Sequence, residues 1–350
     1  MDTMRTKKSN IKSEEIMKKT LTVVVPTYNI EKYIEQCLAS FVIEEVMDQL
    51  EVLVINDGSQ DGSVAIAEKF EVQYPQTFRI IHKKNGGHGS TINRGIQEAK
   101  GQYFKVVDGD DWVERAAFVK LVTNLNQLSS DAIISNYYWV HDANGSRKPE
   151  FKEPFPGVVY GREYRFTEVS DNLFMKMHAL TIRTELIRKI PQIDEHCFYV
   201  DMEYVLFPIP FIQTVTCLDE FVYMYRIGLA TQSMNMKSMQ RNEEHYDRVL
   251  KRLLAYYTEQ ADRNIAQPYL NYLEHSLGRM VATRFKIFLS FPYDKKIEIQ
   301  MRKFDKNLRG QYPLVYTAVK NKAVLMLRKS NFKTYILAHK LFQMKERLKR

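Results

Sequence analysis

The sequence predicts an α/β chain: a mostly parallel sheet with helices on both faces, followed by a mainly helical C-terminal region. Three observations predict it. Short apolar runs alternate with segments of helical periodicity from Leu21 to about Asn136, the pattern of a parallel sheet built from strand–helix units. Each polar motif of that stretch directly follows the end of a strand-like run, where open α/β sheets bind ligands. From Lys237 onward the chain reads as helix alone.

The elements follow in order. Leu21 to Val25 reads as a buried strand that Pro26 ends. Ile30, Ile34, Leu38 and Phe41 recur at helical spacing within 30–42. Glu51 to Ile55 is a second strand, and Asn56-Asp57-Gly58-Ser59 a turn. Asp61 to Phe70 is a helix with Asp61 as its N-cap. Arg79 to His82 is a third strand, Asn85-Gly86-Gly87-His88-Gly89 a glycine loop, and Ser90 to Lys100 the helix after it. Tyr103 to Val107 is a fourth strand, Ala116 to Leu128 a helix, and Ala132 to Asn136 strand-like. From about Val140 the pattern turns irregular, with Pro149, Pro154, Pro156 and Gly157. Strand-like runs continue to about 230, among them Met175 to Leu180 with His178 on a half-buried strand. Tyr246 to Tyr257 and Tyr269 to Ser290 are helical. The expected organisation is a polar extension over 1–19, a sheet domain over 20–230 divided near 115, a helical region over 231–319 and a basic segment over 320–350.

The 350 residues are 45% hydrophobic, enough for a sizeable core and not a disordered composition. Cys37, Cys197 and Cys217 have no metal-type spacing and suit free thiols in a reducing compartment. No signal peptide or transmembrane run is expected. The net charge is +9, and all of it lies in 320–350, where seven Lys and three Arg face Glu346 alone. A balanced body with a basic tail argues against a nucleic-acid partner. The tail interleaves Ala323 to Leu327 and Tyr335 to Ala338 with Lys and Arg, and Leu337, Leu341, Met344 and Leu348 fall near one helical face. Two readings stay open for it: a basic amphipathic helix on an anionic membrane surface, or a helix packed on the body with a solvated basic face.

The densest chemistry is Asp108-Gly109-Asp110-Asp111, straight after the fourth strand. Carboxylates this crowded repel one another unless they are solvated or neutralised by a cation. Asp108 and Asp110 offer hard oxygen ligands suited to Mn²⁺ or Mg²⁺, with phosphate oxygens completing the shell. Asp111 reads as a helix cap near Trp112.

Residues 20 to about 115 resemble the nucleotide-sugar half of the family 2 glycosyltransferases, which have the Rossmann-like GT-A fold. Val24 to Asn29 is similar to the family's opening strand and its Pro-x-Tyr-Asn loop. Asn56 to Ser63 resembles its Asp-Asp-Gly-Ser-x-Asp-x-Ser segment. Asn85-Gly86-Gly87 with Asn93-Arg94-Gly95 resembles its Asn-x-Gly pair, and Asp108 to Asp111 its metal motif. Phe198 to Glu203 carries a weaker likeness to the acceptor-side aromatic-Glu-Asp-x-Glu segment. Three positions depart: Asn56 for Asp, Ile92 for Arg, and Val200 for Glu beside Asp201.

The resemblance implies an inverting sugar transfer from a UDP-sugar to a saccharide or lipid-linked saccharide, in cell-surface polysaccharide or glycoconjugate synthesis. Its setting would be the cytoplasm, at the inner face of the membrane. Pro26, Thr27, Tyr28, Asn29, Asp57, Asn85, Gly86, Gly87, His88, Asp108 and Gly109 are then the expected nucleotide-sugar contacts. Asp57 would accept from the uracil N3–H and Tyr28 would lie against the base. The glycines would let backbone approach the diphosphate, favoured by the following helix N-terminus. Asp201 is the expected general base; Glu203 shares its facing only if that segment is extended, since on a helix the two point apart. Two alternatives are a nucleotide-sugar-binding partner without catalysis, and a nucleotidyltransferase. The latter would carry a Gly-rich, Lys- or Arg-bearing loop after the first strand, where this chain has Pro26-Thr27-Tyr28-Asn29.

Overall fold

A computed structural model describes residues 19–151, 155–229, 232–233 and 235–347. Residues 1–18, Pro154 and Leu348 lie outside the described residues.

The nucleotide half is built as the alternation predicts: β1 (Leu21–Thr27), α1 (Glu31–Ala39), β2 (Leu50–Asn56), α2 (Ser63–Gln73), β3 (Phe78–His82), α3 (His88–Glu98) and β4 (Tyr103–Val106). These strands pair in the order β3-β2-β1-β4, all parallel. β1 is buried along its whole length, which accounts for its unbroken apolar run. Pro26 does not end it: β1 runs on to Thr27, and Pro26 stands opposite Ile55 of β2. Backbone groups alternate sides along a strand, and the Thr27 carbonyl accepts from the Asp57 N–H on the β2 side. The missing Pro26 N–H therefore faces the β4 side, beyond the last β1–β4 pair at Val24 and Val106, and breaks no ladder bond.

Past β4 the sheet is mixed rather than parallel. β5 (Trp112–Val113), α4 (Arg115–Leu125), β6 (Ala132–His141), β7 (Arg147–Pro149), β8 (Glu163–Arg165), α5 (Phe166–Val169), β9 (Leu180–Arg183), α6 (Thr184–Ile187), α7 (Asp201–Leu206) and β10 (Thr214–Ile227) follow. β9 inserts antiparallel between β4 and β6, while β10 runs parallel to β6 and antiparallel to β5 and β8. The segment read as a strand over Met175 to Leu180 is a 3₁₀ turn, Met177–Ala179, that leads into β9.

The helical region comprises α8 (Met236–Arg241), α9 (Glu243–Asp262), α10 (Gln267–Ser290), α11 (Lys295–Gln311), α12 (Pro313–Ala318), α13 (Lys322–Lys329) and α14 (Tyr335–Arg347). It shares one continuous apolar core with the sheet, from Leu21 to Ala338, so residue 230 marks no separate core. Tyr272 of α10 accepts from the Met175 N–H at 2.9 Å, tying these helices to the turn before β9.

Gly95 lets α3 lie directly on β1: a Cβ there would stand 2.4 Å from the Val24 Cγ2. Gly95→Ala is expected to destabilise the fold by about 1–3 kcal/mol through overpacking. A denaturant titration indistinguishable from wild type would show that the contact yields freely.

Candidate active site

The carboxyl ends of β1, β2, β3 and β4 lie side by side, so the loops after them share one edge of the sheet. After β1, Asn29 takes a left-handed backbone (φ 51°), a conformation that Asn tolerates. Its Oδ1 accepts from the Gln60 N–H at 2.8 Å, and its own N–H donates to the Ser59 Oγ. Asn56 accepts from the Ser59 N–H at 2.9 Å, so this departure from the family pattern holds the β2 loop closed. Tyr28 stands 51% exposed on this platform. Pro26 and Thr27 are buried and position Tyr28 and Asn29 rather than face a ligand. Asp61 lies one residue before the Gly62 N-cap of α2. It accepts from Ser63 and, across the loop, from the Glu31 N–H at the start of α1.

Asp57 is almost fully buried, with its carboxylate turned to the glycine loop. One oxygen accepts from Lys83 Nζ at 2.6 Å and the Gly86 N–H at 2.9 Å; the other accepts from the Gly87 N–H at 2.8 Å. The Asn85 side chain donates to the Asp57 carbonyl. The Gly86 and Gly87 amides expected at a diphosphate therefore bind Asp57 here. One acceptor position remains on its second oxygen for a further donor. Gly89 has a different purpose, because a Cβ there would stand 2.1 Å from the Asp194 carbonyl oxygen. Gly87 is the N-cap of α3, so His88 opens that helix instead of lying in the loop. Ile92, where the family has Arg, is buried in the core.

After β4, Gly109 lets the acidic loop lie on the end of β1: a Cβ would stand 2.3 Å from Ile30 Cδ1 and 2.9 Å from the Pro26 carbonyl oxygen. It too is scaffold. Asp108 bonds His88 Nε2 at 2.7 Å. Burial alone would raise the Asp108 carboxyl, but the imidazole beside it holds it below its ordinary value. Burial would lower His88, and Asp108, Asp201 and Asp110 together lift it instead.

Asp111 is not a helix cap; Glu114 caps α4. Asp111 is buried and accepts from the Tyr223 hydroxyl at 2.6 Å and the Arg226 N–H at 2.7 Å. Burial and the neighbouring Asp110 and Asp108 push it well above the carboxylate range. Arg226 also donates to the Asp110 carbonyl, so β10 braces the whole acidic loop. Asp110 is pushed up to about 6 by burial and by Asp108.

The expected metal pair was Asp108 with Asp110. Among the described residues Asp108, Asp111 and His178 also come together, with one ligand atom from each lying within 4.8 Å of the others. His178 sits against Tyr137, Tyr223 and Tyr225, and burial lowers its imidazole to about 4, so it is neutral. Its Nδ1 is buried with no hydrogen-bond partner. Two carboxylates, a neutral imidazole and an orphaned ring nitrogen fit a divalent cation such as Mn²⁺ or Mg²⁺. Lys105, fully buried on β4, donates to the His178 carbonyl at 2.8 Å and fixes the turn that carries it. Burial lowers this ammonium to about 7. His178 reads from the sequence as part of a half-buried strand and so stands outside the expected site, and nothing local says that β9 pairs beside β4. Tyr223 and Arg226 carried no signal of their own.

α7 begins at Asp201, so Asp201 and Glu203 point apart. Asp201 lies within electrostatic reach of His88 and Asp108; burial raises its carboxyl, His88 opposes that and Asp108 adds to it. Glu203 is fully buried on the far side, where it accepts from the Asp194 N–H at 2.8 Å and from Arg252 of α9 at 3.0 Å. Val200, the third departure, is buried in the core. The loop into α7 is held in place by His196, whose N–H donates to the Gly86 carbonyl, and by Asn93, whose side chain brackets the Ile193 N–H and carbonyl. His196 and Tyr199 both take positive φ there, 50° and 67°. Cys37, Cys197 and Cys217 are free and buried.

Residues 22–190 match the model of glycosyl transferase family 2. Putative glycosyltransferase EpsH of Bacillus subtilis is 35% identical over 60% of this chain and 62% of its own length. Glycosyltransferase GlyG of Streptococcus pneumoniae is 33% identical over 47% of this chain and 51% of its own. The chain spans between 18% and 62% of the length of the curated relatives it matches. Among solved structures, S. aureus TarS residues 1–349 in complex with UDP superposes over 95% of this chain and 92% of that one, with TM-score 0.59 and 18% identity. The GT-A fold expected from the motifs is the fold of this chain. Among the described residues no helix is long and apolar enough to cross a membrane.

Proposed function

We propose that this chain is a family 2 glycosyltransferase that moves a sugar from a UDP-sugar to a hydroxyl of a saccharide or lipid-linked saccharide, with inversion at the anomeric carbon. The observation that carries the reading is a concentration of charge at one place: Asp108, Asp111 and His178 bring ligand atoms together for a cation, and the Asp201 carboxylate lies within electrostatic reach of Asp108 and His88. The family match over 22–190 supports the class, and the UDP held by TarS supports the donor.

Tyr28 lies against the base, and Asp57 offers its remaining acceptor position to the uracil N3–H while holding the glycine loop closed. The α3 N-terminus, with His88 at its first position, faces the diphosphate. Asp108, Asp111 and His178 would hold Mn²⁺ or Mg²⁺, which neutralises charge on the leaving diphosphate when bound. Asp201 accepts the proton of the acceptor hydroxyl. The hydroxyl oxygen bonds to the anomeric carbon as the bond from that carbon to the diphosphate oxygen breaks, and the electron pair leaves with UDP. One displacement from the opposite face inverts the centre.

The test is a thermal-shift and calorimetric titration with UDP and UDP-sugars, with and without Mn²⁺. Melting should rise with uridine ligands more than with guanosine ligands. His178→Ala should weaken Mn²⁺ binding at least about tenfold, read as heat rather than as turnover. Equal Mn²⁺ affinity in His178→Ala removes His178 from the metal set. No response to any nucleoside diphosphate sugar rejects the donor assignment.

A further inference from the structure

The basic tail offers both of its open readings at once, on opposite faces. α14 does pack on the body: Tyr335, Ala338 and His339 are buried, and His339 Nδ1 and the Gln343 side chain both bond the Leu289 carbonyl at the end of α10. The stripe that the sequence singled out is not the packed one. Leu337, Leu341 and Met344 point outward with Ile336, each about half exposed at 53%, 48%, 55% and 49%. α13, which packs against α14, repeats the arrangement: Val324 and Leu327 are buried, while Leu325 and Met326 are exposed. Lys322 and Lys329 of α13, Lys340 and Lys345 of α14, and Lys333 in the turn between them are exposed.

A helix packed on a body normally turns charged and polar residues outward. Single exposed apolar residues need no explanation, but six large ones on two touching helices make a patch. We propose that this outward face of α13 and α14 docks on an anionic lipid bilayer, with Leu325, Ile336, Leu337, Leu341 and Met344 entering the interface and the lysines meeting lipid phosphates. The lysines decide between occupants. A second copy seated on this face would bring two sets of like charges together, whereas an anionic bilayer complements them. α14 has 13 residues, roughly 20 Å of helix, too short to span the hydrocarbon and suited to lie in its plane. The inference does not depend on the reaction proposed above.

The experiment is flotation of the full chain with vesicles of phosphatidylcholine alone and of phosphatidylcholine mixed equally with phosphatidylglycerol. Binding should appear on the mixed vesicles and fall with added salt. Each lysine near such a surface contributes roughly fivefold in partitioning, so K333Q/K340Q should bind about 25-fold more weakly at low salt. L337E/L341E should abolish flotation with melting unchanged, because both side chains already face outward. Undiminished binding in both variants overturns the proposal. So does a concentration-dependent dimer, seen by sedimentation velocity and lost in L337E/L341E, together with no vesicle binding by the parent chain.

Discussion

Asp201→Asn is expected to lower turnover by a factor on the order of 10³ while UDP and Mn²⁺ binding and the melting temperature stay close to wild type. Asn has the same shape and accepts the same local hydrogen bonds, but it cannot take a proton from an attacking hydroxyl. Asp201 suits that task because it opens α7 within electrostatic reach of Asp108 and His88. Burial raises its carboxyl, which strengthens it as a base without removing its charge from reach of His88. Glu203 is the internal control. It lies two residues on, but the helix turns it into the core, so Glu203→Gln should leave the chemical step nearly intact. The measurement is single-turnover transfer with saturating donor. If Asp201→Asn turns over at the wild-type rate, or if Glu203→Gln is the variant that stops, Asp201 is not the base. Binding without turnover by the wild-type chain across a broad acceptor panel would favour a binding partner over an enzyme.

The grouping of the loops after β1, β2 and β4 at one sheet edge was legible because its information is local. Tyr28, Asn29, Asp57 and Asp108 each stand a residue or two past the end of a strand, and a parallel sheet puts all such ends on one edge. What was not legible depends on pairing between distant segments. His178 reaches Asp108 only because β9 runs antiparallel to β4, with Tyr103 opposite Arg183. Asp111 was read as a cap because Tyr223 and Arg226, its partners, lie more than a hundred residues away. The glycines illustrate a second limit. A small residue in a loop signals close approach, but not of what: Gly109 meets Pro26 and Ile30, and Gly89 meets Asp194. The tail shows a third. Periodicity identified a real stripe, Leu337, Leu341 and Met344, but α14 is apolar on two faces, and periodicity cannot say which one the body takes.

Arg252→Ala is expected to cost about 3 kcal/mol of stability. Arg252 reaches from α9 to Asp194 at 2.6 Å and Glu203 at 3.0 Å, and lies over the Phe207 ring. Glu203 is fully buried, and removing the partner of a buried charge typically costs about 3–5 kcal/mol. The lower end applies because Arg252 is itself about 29% exposed, so water can partly replace it. The loss should depend on pH in a definite direction. Burial raises the folded Glu203 carboxyl to about 7. A carboxyl raised on folding favours the fold below its unfolded value, and that contribution is lost as pH rises through about 7. Without Arg252 the carboxyl is raised further. Arg252→Ala should therefore be mildest near pH 5, where Glu203 takes up a proton, and worst near pH 8. Adding Glu203→Gln to Arg252→Ala should recover most of the loss at pH 8 and little at pH 5. Urea titrations of the four proteins at both pH values decide it. A penalty independent of pH, or one that Glu203→Gln does not relieve, would mean that Arg252 acts through Asp194 and packing alone. Because the same contacts hold the Asp194 loop against the start of α7, the donor KM should also rise in Arg252→Ala at temperatures well below unfolding. That result would couple the helical region to the start of α7, where Asp201 stands.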